Sequence, residues 1–163
     1  MSVPDYKPQF KIQIGDTAVN FKTTIQDGSI IELNKIKSKW IVLFFYPEDN
    51  TPTCTKEACN LRDHFKIIKD CGAIIFGISP DTEAKHQKFI SKFSLPYDLI
   101  ADVNHEISSA YGVWGTKKFM GLVFDGIHRS TIIINENHKI QDIIYPVVSA
   151  THHEQILQSI QLK

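Results

Sequence analysis

Two short stretches are apolar at nearly every position, Trp40–Tyr46 (WIVLFFY) and Ala73–Ile78 (AIIFGI). Runs this short, rich in β-branched and aromatic residues, suit strands covered on both faces, and they are predicted as central parallel strands. Between them the pattern changes to a helical period over Pro52 to Asp70, which places Ala58, Leu61, Phe65 and Ile68 on one face, with Cys71-Gly72 as the stop. Strand, helix and strand make a βαβ unit, right-handed by default. Upstream, Lys22–Ile25 and Ile30–Leu33 flank Gln26-Asp27-Gly28-Ser29, and Asp-Gly between β-prone segments predicts an N-terminal hairpin. A second helix is expected over Thr82 to Phe93 behind a cap at Asp81, and a short one after Asn104. The last begins at Thr151, where Thr151-x-x-Glu154 has capping-box spacing. Arg129–Asn135 and Lys139–Tyr145, separated by Glu136-Asn137-His138, form an antiparallel hairpin. The pattern predicts an α/β fold: a mixed central sheet flanked by helices, with an N-terminal β-hairpin.

Composition narrows the function. The 163 residues suit one domain, 1–163, large enough to bury a core without staples. Eighteen basic residues balance eighteen acidic ones, and no basic stripe invites nucleic acid or anionic lipid. The N-terminus has no apolar core of a signal peptide, and no apolar run approaches the length of a membrane span, so the expected location is the cytoplasm. Three cysteines in such a chain do not make a disulfide framework; in a reducing compartment thiols are more often buried, metal-bound or reactive. Cys54, Cys59 and His64 lack the paired ligand doublets of structural zinc, and there is no G-x-G-x-x-G, P-loop or H-E-x-x-H. No cofactor and no metal are expected. The histidines are expected to be mostly solvated, with His152-His153 at a helix cap.

The chemistry gathers around "FYPEDNTPTCTKEAC" (Phe45–Cys59). Thr51 is placed as an N-cap, Pro52 as the first helical residue and Cys54 as the third, where unpaired amides and the helix dipole favour a thiolate. On a continuous helix, residues five apart have Cα atoms about 8.6 Å apart, beyond the ~7 Å reach of a disulfide. Cys54 and Cys59 therefore pair only if the first turns unwind. Spacing alone leaves two readings open: a redox switch, or a capped helix that carries two ordinary cysteines. Cys71, at a helix end before a buried strand, reads as a small packing residue. Trp114 and Phe119 are candidates either for a pocket wall or for the core.

A resemblance separates these readings. Pro47-x-x-x-Thr51-x-x-Cys54 resembles the active-site pattern of peroxiredoxins, and "YPEDNTPTCTKEACNLRD" looks like their bacterioferritin-comigratory, or Q-type, branch. Further stretches, "IGDTAVNF", "GISPDTEAKHQKF", "YGVWGTKK" and "GIHRSTIIIN", follow in the family's order. Thr53 stands where the family often has glycine. The resemblance implies a thioredoxin-like fold and a thiol-specific peroxidase for hydrogen peroxide or alkyl hydroperoxides. It implies Cys54 as the peroxidatic and Cys59 as the resolving cysteine, Arg129, Thr51 and Pro47 as the rest of the site, thioredoxin or a similar dithiol as reductant, and a monomer. Two other functions compete: a disulfide oxidoreductase, which normally uses C-x-x-C rather than the C-x-x-x-x-C seen here, and a non-enzymatic redox sensor.

Overall fold

The computed structural model describes residues 6–161. The N-terminal hairpin pairs β1 (Lys22–Thr24) with β2 (Ile30–Glu32) antiparallel. Its turn follows the Asp-Gly signal: Gly28 takes a φ of +84°, open to glycine, and the Asp27 carboxylate accepts from the Ser29 amide at 2.8 Å. β3 (Trp40–Phe45) and β4 (Ala73–Ser79) are the predicted parallel pair, running from Trp40 opposite Ala73 to Phe45 opposite Ile78. All six residues of β3 are buried. Trp40, Val42 and Phe44 enter one core and Ile41, Leu43 and Phe45 the other, as the two-residue period of a strand requires.

The helix expected over Pro52 to Asp70 is two helices, α1 (Pro52–Asp63) and α2 (Phe65–Asp70). They part at His64, whose backbone (φ −115°, ψ 17°) leaves the helical range. Its ring nitrogen Nδ1 lies 2.9 Å from the Asn60 carbonyl, and the ring stacks at 3.5 Å on His153 from the far end of the chain. The apolar period continues across the break, so periodicity does not mark it. Cys71 and Gly72 end α2 as expected, Gly72 at φ +87°.

α3 (Glu83–Phe93) is capped by Thr82, which accepts from the Lys85 amide, and not by Asp81. The Asp81 carboxylate is drawn inward to the Asp49 amide and the Ser79 hydroxyl. β5 (Asp98–Ala101) and the short α4 (Glu106–Tyr111) follow. A ribbon of β6 (Trp114–Phe119) and β7 (Leu122–Ile127) then stands outside the main sheet. Neither β5 nor this ribbon was evident from the hydrophobic pattern: β5 has four residues, and the ribbon is largely exposed with no buried alternate face. β8 (Ser130–Asn135) and β9 (Ile140–Ile144) form the expected hairpin. A 3₁₀ turn at Ser149–Thr151 leads into α5 (His152–Gln161), where Asn60 of α1 accepts from the His153 amide at 2.8 Å and donates to the Ala150 carbonyl at 2.9 Å.

The main sheet has the order β5-β4-β3-β8-β9. Residues of α1, α2, α3 and α5 cover one face; α4 and the N-terminal segments cover the other. Phe44 is the aromatic hub of the first core, with ring contacts to Tyr46, Tyr97 and His152. Truncating it to alanine would cost about 3–5 kcal/mol and loosen the floor beneath α1 and α5. Among the described residues no helix is long and apolar enough to cross a membrane.

Candidate active site

Strand register brings distant residues together. β3 ends at Phe45, which lies opposite Ser130 at the start of β8. The chain leaving β3 turns through 46–50 into α1 at the same edge where Arg129 enters β8. The turn is latched by buried polar groups. Asp49, 3% exposed, accepts from the Tyr46 hydroxyl at 2.5 Å and faces His86 Nδ1 at 2.7 Å, while its amide donates to Asp81 at 2.7 Å. Lys85 bridges Asp81 and Glu48, each at 2.9 Å. Among the described residues, Asp49, Asp81 and His86 have donor atoms close enough for a cation, but hydrogen bonds and the Lys85 ammonium already engage them. The cluster therefore reads as a latch on the turn that carries Pro47 and Thr51.

Cys54 is the third residue of α1, and its side chain is buried at 2% exposure. Arg129 approaches it as a fork: Nη2 donates to Cys54 Sγ at 3.0 Å, and Nη1 donates to Glu57 Oε1 at 2.5 Å. Burial alone would weaken the guanidinium's hold on its proton, but Glu57 and Cys54 outweigh burial and hold it above its ordinary range, so Arg129 is a permanent cation here. Glu57 is fully buried. Burial raises its carboxyl from an ordinary 4.5 to about 7, against the opposing pull of Arg129. Lys117 adds a further positive group nearby: burial and then the Arg129 charge push it below its usual range, and its ammonium donates to the Ile127 carbonyl at 2.6 Å. The buried sulfur thus faces a fixed cation in the first turn of a helix, and donors so placed can receive charge that builds on a leaving oxygen.

The other expected site residues are placed as follows. Thr51 occupies the N-cap position of α1, but its hydroxyl makes no cap bond; it donates to the Glu48 carbonyl at 3.2 Å. Cap-like backbone geometry is present without the side-chain contact, and the first amides of α1 stay available. Pro47 is half-buried and lines a cleft of about 310 Å³ with Trp114, Lys117 and Phe124. Phe119, the other candidate wall residue, is 66% exposed at the ribbon tip and lies outside that cleft. Cys59 is half-buried on the unbroken α1, and all three thiols are free. Cys71 is also half-buried, packed on the edge of the first core.

Sequence reasoning passed over Glu57 and misjudged the histidines. Glu57 follows Cys54 by three residues and precedes Leu61 by four, so it falls on the buried stripe of α1; a carboxylate on an apolar stripe was the available signal. His86 and His152, expected in solvent, are fully buried, and His128 nearly so. Their burial comes from long-range packing that has no local pattern.

Comparison with known proteins agrees with this geometry. The AhpC/TSA family matches residues 14–143. Peroxiredoxin Bcp of Bacillus subtilis is 37% identical over 150 residues, 92% of this chain and 96% of the relative. Peroxiredoxin Bcp of Escherichia coli is 36% identical over 146 residues, 90% of this chain and 94% of the relative. Among solved structures, peroxidoxin BcpB from Mycobacterium tuberculosis is similar with a TM-score of 0.80 at 31% identity, covering 91% of this chain and 96% of that one. The chain belongs to the AhpC/TSA family and is a peroxiredoxin enzyme of the Bcp and Q-type branch, with the thioredoxin-like fold of that group.

Proposed function

We propose that this peroxiredoxin reduces hydrogen peroxide and organic hydroperoxides at Cys54, resolves the product with Cys59 in the same chain, and is recycled by thioredoxin or a similar dithiol. The observation that carries this reading is the Arg129 guanidinium at 3.0 Å from a buried thiol in the first turn of a helix. The Cys54 thiolate attacks one peroxide oxygen; the O–O bond breaks, its electron pair leaves on the second oxygen, and that oxygen takes a proton to become water or an alcohol. Arg129 and the open amides of α1 stabilise the charge in transit, Thr51 orients the peroxide, and Pro47 shapes the entrance. Cys54 is left as sulfenic acid. The Cys59 thiol then attacks its sulfur, forming the disulfide and releasing water, and two electrons from the external dithiol restore both thiols. The cleft beside Pro47, with Trp114 and Phe124 in its wall, offers apolar surface for the organic part of a hydroperoxide.

The cycle needs one chain only, which is consistent with a monomer. Peroxide consumption coupled to thioredoxin, thioredoxin reductase and NADPH tests the reading. Steady, thioredoxin-dependent turnover of both peroxide classes is expected; oxidation of Cys54 that thioredoxin does not reverse would sink the recycling step.

A further inference from the structure

α5 begins inside the reactive centre. His152, its first residue, is fully buried against the edge of Phe44. Its Nδ1 lies 3.1 Å from Glu57 Oε2, and its Nε2 lies 2.7 Å from the Thr131 hydroxyl of β8. Nδ1 and Oε2 are both sealed from water; at that distance they are near but imperfectly aligned, and neither has another partner. The second Glu57 oxygen is taken by Arg129, which reaches Cys54. A continuous line of contacts therefore runs Thr131, His152, Glu57, Arg129, Cys54.

A buried carboxylate held through one oxygen can still rock about its side-chain torsions, and the guanidinium bonded to it would rock too. A donor on the second oxygen removes that freedom. When Glu57 is ionised, the form that Arg129 favours against burial, Nδ1 faces an acceptor and carries the ring proton, while Nε2 accepts from Thr131. We propose that His152 is a positioning residue of the thiol site: by donating from Nδ1 to Glu57 it fixes the carboxylate and so aims Arg129 at Cys54. This rests on the reading of Cys54 as the peroxide-reactive thiol. It also ties the docking of α5 to the wound state of α1, because unwinding at Cys54 carries Glu57 away from His152.

The titratable groups facing Glu57 are Arg129 ahead of β8, Cys54 on α1, His152 on α5 and Tyr97 ahead of β5, whose hydroxyl donates to the Ala58 carbonyl. Burial, aided by the charge of Arg129, pushes His152 down to about 3, so at neutral pH it acts as a neutral donor and not as a cation.

The test uses His152→Leu, which keeps volume without a donor, His152→Asn, which keeps a donor near the Nδ1 position, and Glu57→Gln. NMR titration of the Glu57 carboxyl reads the contact whether or not the protein turns over. Removing a donor to the charged form raises the midpoint, so His152→Leu should shift it upward and His152→Asn should shift it back toward wild type. ¹⁵N shifts of His152 should report the Nδ1–H tautomer. In rapid-mixing measurements with hydrogen peroxide, His152→Leu should slow Cys54 oxidation roughly tenfold, His152→Asn should recover part of that, and adding His152→Leu to Glu57→Gln should change little. An unmoved Glu57 midpoint, an Nε2–H tautomer, or rate losses that multiply in the double variant would each overturn the proposal. Failure of wild-type Cys54 to react with peroxide would remove the peroxidase reading, while the titration would still decide the link between His152 and Glu57.

Discussion

Cys54 and Cys59 share one helix but not one environment. Cys54 is buried at the edge of the first core, with its sulfur 3.0 Å from the Arg129 guanidinium that also holds Glu57. Cys59 is half-buried, beside Arg62 and Tyr97, where the helix is pinned to its surroundings. Around it Tyr97 donates to the Ala58 carbonyl at 2.8 Å, Asn60 holds the start of α5, and Arg62 donates to the Phe93 carbonyl at 2.8 Å. The difference teaches how a helix can serve two steps. In the proposed cycle the first turns, joined to β8 through the Arg129 fork at Cys54 and Glu57, are the part of α1 that unwinds. The later turns are held by the Tyr97, Asn60 and Arg62 hydrogen bonds, none of which involves Cys54, so in the proposed cycle unwinding that begins at Thr51 stops near Cys59.

The strongest way to break this comparison is to remove the second thiol. Cys59→Ser should still consume one equivalent of peroxide per chain in forming sulfenic acid but lose steady turnover with thioredoxin, and a second equivalent should carry that sulfenic acid to sulfinic acid; full turnover would show that Cys59 is dispensable. Arg129→Lys keeps charge but loses the fork that joins Cys54 to Glu57. A drop of about 10²–10³-fold in the rate of Cys54 oxidation is expected, with little change in circular dichroism, and a rate near wild type would remove Arg129 as the transition-state donor.

A subtler break uses pH. The Glu57 carboxyl, raised to about 7 by burial, contributes stability that is fully present below pH ~4.5 and is lost as pH rises through 7, on the order of 3 kcal/mol. His152, lowered from 6.5 to about 3 by burial and by Arg129, acts in the opposite sense: its contribution is present above pH 6.5 and is lost as pH falls through 3. Between about pH 4.5 and 6.5 the two slopes oppose each other. Denaturant unfolding across this range should show Glu57→Gln gaining stability relative to wild type as pH rises. A difference independent of pH would contradict the buried assignment of Glu57. The smallest effect on stability is expected at Thr51. Because its hydroxyl donates to Glu48 and caps nothing, Thr51→Val should cost less than the ~1 kcal/mol of a lost cap while still slowing peroxide reduction. A full cap-sized loss with an unchanged rate would reverse that assignment.

Much of this arrangement was legible in the chain itself. The apolar runs of β3 and β4, the Asp-Gly hairpin and the helix bearing Cys54 at its third position are local signals, and each appears in the structure. What escaped was tertiary. The break at His64 depends on stacking against His153, which lies near the other end of the chain and is invisible to periodicity. The inward turn of Asp81 depends on Asp49, so a residue that looks like a cap serves as a latch. At the site, the motif picked out Cys54 and the family resemblance picked out Arg129. Glu57 and His152 emerge only when β3, β8, α1 and α5 are assembled, because their partners come from separate stretches of the chain.

The most direct test of two cysteines with two roles is peptide mass spectrometry of the protein after one equivalent of peroxide, under conditions that block thiol exchange. The account predicts a single bridge between Cys54 and Cys59 within one chain, with Cys71 left reduced. A bridge from Cys54 to Cys71, or one that joins two chains, would contradict it.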